Sequence, residues 1–206
     1  MTIDEIIGRL TELRSSNAFN PYAERCAVAD LPEAPEIRRH NLNLILKAAA
    51  DRGIDEVWLA LEPTYRGARR TGLAMTDERH LQAHGRRFEV DGLRRATIPP
   101  DPAEETAGIV WSALEGIERR VFLWNTVPLH THRAGEPFSL RRHNAAERAA
   151  SKPILDGILE LLTPGRLVAV GYEASQALHR EKKDHEQVRH PARNGAKRFT
   201  EQVSDR

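Results

Sequence analysis

The sequence predicts an α/β fold: a three-layer α/β/α sandwich with a central four-stranded, mostly parallel sheet. Three observations carry this. Short apolar runs recur at Val57 to Leu61, Val121 to Trp124 and Leu167 to Val170, with a shorter one ending at Val188. Helix-like stretches stand between them, so the strands are joined by crossovers rather than hairpins. Polar residues follow three of the runs, namely Glu62, Asn125 and His190, as expected where strands end in a common crevice.

The elements follow in order. Ile3, Ile6, Ile7, Leu10 and Leu13 form a helical stripe capped by Thr2. Ser15 to Pro35, with Asn20-Pro21 and Pro32, reads as loop. A long helix from Pro35 to Arg52 stops at Gly53. The first strand, Glu56 to Leu61, leads into a glycine- and arginine-bearing loop from Pro63 to Gly72, and Arg79 to Leu93 is ambiguous. Pro99, Pro100 and Pro102 break the chain before a helix from about Ala103 to Ile117. The second strand, Arg120 to Asn125, opens into an irregular segment, then a helix from Asn144 to Leu162 stopped by Pro164-Gly165. The third strand is Arg166 to Gly171, apolar enough to be buried on both faces. A helix from Tyr172 to about Lys183, a short strand near Gln187 to His190, and a terminal helix or tail from Phe199 to Arg206 complete the chain.

With 206 residues, the chain is expected to be one domain, residues 1–206, and to act as a monomer. Hydrophobic residues make up 40%, so a core is feasible, while aromatics at 5% leave it to Leu, Val, Ile and Ala. The net charge of +1 predicts neither nucleic-acid nor membrane binding. Its distribution is more telling. Arg66, Arg69 and Arg70 follow Glu62; Arg133, Arg141, Arg142 and His143 follow Asn125; Arg189, Arg193, Lys197 and Arg198 surround His190. Each candidate group is thus followed by a basic loop suited to phosphates.

Cys26 is the only cysteine, which excludes an internal disulfide and a four-cysteine metal or iron–sulfur site. His130, His132 and His143 lack a cysteine partner and a fixed helical spacing, so no metal site is expected. No apolar stretch approaches a membrane span, and the first residues carry no secretory pattern. The expectation is a cytoplasmic, nucleoid-associated protein without cofactor.

An acid, an amide and an imidazole in one crevice can hold a water, read a polar ring edge and stabilise an anion. In this order the segments resemble the uracil-DNA glycosylase superfamily. Ala60-Leu61-Glu62-Pro63-Thr64-Tyr65-Arg66-Gly67 is similar to its first motif, and Gly72-Leu73-Ala74-Met75-Thr76 to the segment that follows it. Leu123-Trp124-Asn125 resembles the middle motif and His190-Pro191-Ala192 the last; Asn17 to Pro21 and Arg38 to Leu42 resemble the entry region. The resemblance covers roughly Asn17 to Phe199. It departs at Ala60, where the family has glycine, at Thr64, and at Met75, where a stacking phenylalanine is usual.

The resemblance implies cleavage of the N-glycosidic bond of uracil in DNA after base flipping. Glu62 would position or deprotonate the attacking water, and His190 would donate to the departing base. The Asn125 amide would read the uracil edge. Thr64 or Tyr65 would block the pyrimidine 5-position, and Met75 would lie against the base or simply in the core. Arg66, Arg69, Arg70 and Lys197 would contact phosphates, and Arg193 or Asn194 would fill the gap left by the flipped base. A glycosylase for another deaminated base (hypoxanthine or xanthine) and a non-catalytic nucleic-acid-binding relative are the alternatives.

Overall fold

The computed structural model describes residues 1–204. In chain order its elements are α1 (Ile3–Glu12), β1 (Ala18–Phe19), α2 (Ala34–Arg52), β2 (Glu56–Ala60), α3 (Ala68–Thr71), a 3₁₀ turn (Glu78–His80) and α4 (Leu81–Phe88). Then follow α5 (Glu105–Glu115), β3 (Val121–Asn125), β4 (His130–Thr131), α6 (Ala145–Leu162), β5 (Arg166–Val170), α7 (Tyr172–Arg180), β6 (Glu186–Val188) and α8 (Ala196–Ser204). The last two residues of the terminal segment, Asp205 and Arg206, lie outside the described residues.

The central sheet has the order β3-β2-β5-β6, and every pairing in it is parallel. Side chains alternate across β2, and each face finds its own layer. Val57 and Leu59, with Phe122, Trp124 and Ala169, pack with Leu10 of α1, Leu42 and Ile45 of α2, and Ile154 and Ile158 of α6. Trp58, with Val121, Leu123, Val168 and Val188, packs with Val110 and Leu114 of α5 and Phe199 of α8. The Trp58 and Phe199 rings meet edge to face at 5.7 Å between centroids. Each such fully buried aliphatic or aromatic side chain contributes about 1.5–3 kcal/mol. The expected three layers and four strands are therefore present.

Helix starts follow from their caps. The Thr2 hydroxyl accepts from the Glu5 N–H at 3.2 Å, and the Glu5 carboxylate accepts from the Thr2 N–H at 2.7 Å. Asn144 and Glu147 form the same reciprocal box at the head of α6. The interior of the sheet also carries one acid. Glu56 is fully buried at the amino end of β2, where it accepts from Arg119 at 3.1 Å and the Trp58 indole at 2.9 Å and forms an ion pair with Arg166 at 2.9 Å. That pairing ties β2 and β5 together at the edge opposite the candidate site.

Three local readings change. The ambiguous segment from Arg79 lies in the 3₁₀ turn and α4 as far as Phe88, and residues 89–93 are irregular. The loop from Ser15 to Pro35 contains β1, which pairs antiparallel with β4 through Ala18–Thr131 and Phe19–His130. Two residues per strand leave no periodicity to read. The arginine loop after Glu62 coils into α3, where Arg69 turns inward.

Candidate active site

The register of the parallel sheet brings the candidate groups to one edge. Ala60 pairs with Asn125, the last residue of β3, and the chain continues from Ala60 through Leu61 to Glu62. The next turn of β3 is stitched to this exit: the Thr126 and Val127 N–H groups donate to the Ala60 and Leu61 carbonyls at 2.8 and 3.0 Å. On the other side the Gly171 N–H donates to the Val188 carbonyl at 2.9 Å, so the exit of β5 meets the exit of β6, two residues before His190. With neighbouring strands about 4.8 Å apart, β2 and β6 are separated by roughly 10 Å, with β5 between them. Gly171 occupies that middle position with φ of +94°, and a Cβ there would lie 2.9 Å from the His190 Cβ. The glycine both makes the turn and leaves room for the imidazole.

The Glu62 carboxylate is buried, its side chain 5% exposed. Its Oε1 accepts two hydrogen bonds from one residue: the His143 backbone N–H and the His143 ring Nδ1, each at 2.6 Å. Oε2 makes no hydrogen bond among the described residues. His143 is itself held at the head of α6. Two residues before it, Arg141 forms a two-pronged pair with Glu147, at 2.5 and 2.9 Å, and donates to the Ser16 and Asn17 carbonyls. Arg142 pairs with Glu173 in the first turn of α7.

Asn125 is 5% exposed, and its side-chain amide makes no hydrogen bond among the described residues. Its amide atoms are not sealed from solvent, so the amide stands open at the mouth of the sheet with its donors and acceptor free for a ligand. His190 is half-buried, and its Nδ1 accepts from the Ala192 N–H at 3.1 Å. In the neutral ring this puts the proton on Nε2. Burial, then the positive charges of Arg189 and Arg193, hold this imidazole below its ordinary value, with Glu105 opposing. The site thus holds a neutral ring donor.

The surrounding loops are sorted by burial. The Thr64 hydroxyl accepts from the Gly67 N–H at 3.1 Å and so closes its own turn. The Tyr65 hydroxyl accepts from Arg66 Nε at 2.7 Å, and its ring lies 5.9 Å from that of Phe138. Arg66 is exposed and Arg70 half-buried. Arg69 departs from the expected phosphate rim. It is 5% exposed, stacks on Phe19 at 4.2 Å and Phe138 at 5.0 Å, and is bonded to His130 Nδ1 and the Pro137 carbonyl. Its guanidinium is occupied inside the protein because α3 turns it toward β1 and β4. Met75 has φ of +49° and is buried in the same apolar cluster as Ala60 and Ala74. Arg193, Asn194 and Lys197 are exposed beyond His190, the first two in left-handed conformation at φ of 56° and 61°.

The sequence reading passed over His143 as a site residue. Its signal was the Asn144-x-x-Glu147 capping box, which places the preceding residue at a helix entry. A cleft of about 430 Å³ at the amino edge of the sheet, lined by Phe88, Arg87 and Trp111 among others, contains none of the candidate groups.

No protein-family model matches the chain, and no curated protein is similar to it in sequence. Among solved structures, the crystal structure of wild-type SMUG2 from Pedobacter heparinus matches with a TM-score of 0.62, over 98% of this chain and 95% of that one. SMUG2 belongs to the uracil-DNA glycosylase superfamily. The chain has the fold of that superfamily. Identity to SMUG2 is 14%, so the likeness speaks for the fold, and the roles of individual residues rest on the geometry above.

Proposed function

We propose that the chain is a DNA glycosylase that hydrolyses the N-glycosidic bond of uracil in DNA, acting on a flipped nucleotide and so initiating base excision repair. The observation that carries this reading is the Asn125 amide, on a residue only 5% exposed, left without an internal partner one strand away from the Glu62 carboxylate. Asn125 would accept from uracil N3–H and donate to the adjacent carbonyl. A water held on Glu62 adds its oxygen to the sugar C1′ as the bond to the base breaks. Its proton passes to Glu62, and the bond's electron pair leaves with the base. The Nε2–H of His190 donates to the base oxygen that gathers this charge. Glu62, still anionic as the bond lengthens, favours the cationic sugar. These steps use side chains alone and call on no metal or other cofactor.

Hypoxanthine and xanthine present the same lactam N–H and carbonyl side by side, so the amide of Asn125 supports them as a second reading of the substrate. Arg66, Arg70 and Lys197 would meet phosphates. Arg193 or Asn194 would stand in for the flipped base. A monomer on uracil-containing DNA is the proposed working unit.

Glu62→Gln tests the role of the acid. It keeps the shape and removes the charge, so the single-turnover excision rate is expected to fall by about 10²–10⁴-fold while DNA binding persists. A near-normal rate in Glu62→Gln would remove Glu62 from the chemistry.

A further inference from the structure

We propose that His143 is a positioning residue for Glu62, and that it designates Oε2 as the oxygen that takes the attacking water. This rests on the reading of Glu62 as the group that activates water.

The geometry is specific. One carboxylate oxygen receives both donors of a single residue, a backbone N–H and a ring N–H, each at 2.6 Å. A carboxylate oxygen has about two lone-pair directions, so Oε1 is filled. Short bonds to an ionised acceptor are the stronger kind. Two donors from one rigid residue also set the plane of the carboxylate, whose terminal torsion is otherwise broad. Oε2, in the same plane and without a partner among the described residues, is the one acceptor still open to water.

His143 is suited to this because it cannot follow the carboxylate. Its side chain is 2% exposed. Asn144 after it is locked in the capping box of α6, Arg141 before it is clamped to Glu147 and to the Ser16 and Asn17 carbonyls, and Arg142 is paired with Glu173. The loop therefore spans from the N-terminal segment to the turn after β5, with His143 at its centre. Of the charged groups, Arg141 also acts on Glu62 through space. Arg141 pulls the whole carboxylate without distinguishing its oxygens; His143 touches one of them.

The test uses a pair of substitutions of nearly equal shape. His143→Asn keeps an N–H donor at the position of Nδ1, and His143→Leu fills similar space without one. Single-turnover excision of uracil from a duplex is followed across a range of enzyme concentrations, beside wild type and Glu62→Gln. For His143→Leu the maximal rate is expected to fall by about 10–100-fold, the scale of a misplaced catalytic group. Its half-saturating enzyme concentration should change less than about twofold, because DNA is not touched, and His143→Asn should recover to within about threefold of wild type. Should His143→Leu fail to fold by circular dichroism, His143→Ala takes its place in the comparison. Equal rates in the Leu and Asn variants would overturn the proposal, whether both are fast or both slow. If Glu62→Gln excises normally, the reading of Glu62 falls first and this proposal with it. If Glu62→Gln is disabled and His143→Leu is not, only the positioning role falls.

Discussion

In the proposed function, base recognition rests most heavily on Asn125. Replacing its amide by a carboxylate removes the donor and puts an acceptor against the uracil carbonyl. Asn125→Asp should therefore lose uracil excision by more than tenfold, since one good polar contact to a base carries about 1–3 kcal/mol of discrimination. The same carboxylate can accept from the amino group of cytosine, so weak cytosine release is the expected companion effect. Uracil release unchanged from wild type would make Asn125 a structural residue. Gly195 gives a second test at this scale. A Cβ there would stand 1.9 Å from the His190 carbonyl oxygen and 3.0 Å from that of Ala192. Gly195→Ala must displace backbone rather than a flexible side chain, so the His190 turn should shift and the excision rate drop by about tenfold or more. A rate within twofold of wild type would show that the turn can be re-formed without consequence. The strand-end positions of Glu62, Asn125 and His190 were legible in the sequence because an apolar run marks where each strand stops. His143 was not, because its partner lies 81 positions earlier and only the folded sheet brings them together.

Elements decide which arginines are free to serve the proposed phosphate contacts. In the run after Glu62, Arg66 is exposed in the turn before α3, while α3 leaves Arg70 partly exposed and buries Arg69. A count of basic residues cannot separate these, because helical phase over four residues depends on where the turn starts. The three should therefore behave differently. Replacing Arg66 and Arg70 by Ala should lower the magnitude of the log–log salt slope of duplex binding by roughly 0.9 for each phosphate no longer neutralised. Arg69→Ala should leave the slope unchanged and reduce stability, since it empties a buried place between Phe19 and Phe138 and strands the His130 and Pro137 acceptors. A slope reduced by Arg69→Ala alone would contradict the inward placement. Long elements were readable for a similar physical reason in reverse. Helices α1, α2 and α6 and the strands β2, β3 and β5 carry enough residues for their caps, stops and apolar runs to show. The two-residue strands β1 and β4 owe their existence to each other, through a pairing over more than a hundred positions.

At the scale of the whole molecule, two buried histidines set the response to acid. His84 is 2% exposed beside Trp111 and Phe88, and burial, then Arg87, hold its imidazole down at about 3. His130 is fully buried, and burial, then Arg69 and His132, hold it at about 3 as well. The unfolded chain takes up these protons near the ordinary value of 6.5 and the folded chain does not. Stability is therefore expected to fall as pH drops below 6.5, by up to about 1.4 kcal/mol per pH unit for each ring, and to go on falling toward about 3. Glu147 adds a lower window. Burial alone would raise its carboxyl, but Arg141, Ser15 and Asn144 hold it at about 2, so its contribution is present above 4.5 and is lost as pH falls toward 2. Urea unfolding at pH 7.5 and 5.5 checks the upper window, and His84→Leu should reduce the difference while leaving the part due to His130 and His190; the same stability at both pH values in wild type would contradict the neutral burial of these rings. Among the described residues no helix is long and apolar enough to cross a membrane. The central claim, that this edge of the sheet excises uracil from DNA, is tested most directly by single-turnover release from matched oligonucleotides carrying uracil, hypoxanthine, xanthine, thymine or cytosine at one position. The expected result is release of uracil, with neither thymine nor cytosine released; release of hypoxanthine or xanthine without uracil would move the proposal to that base, and release of none of the five would contradict it.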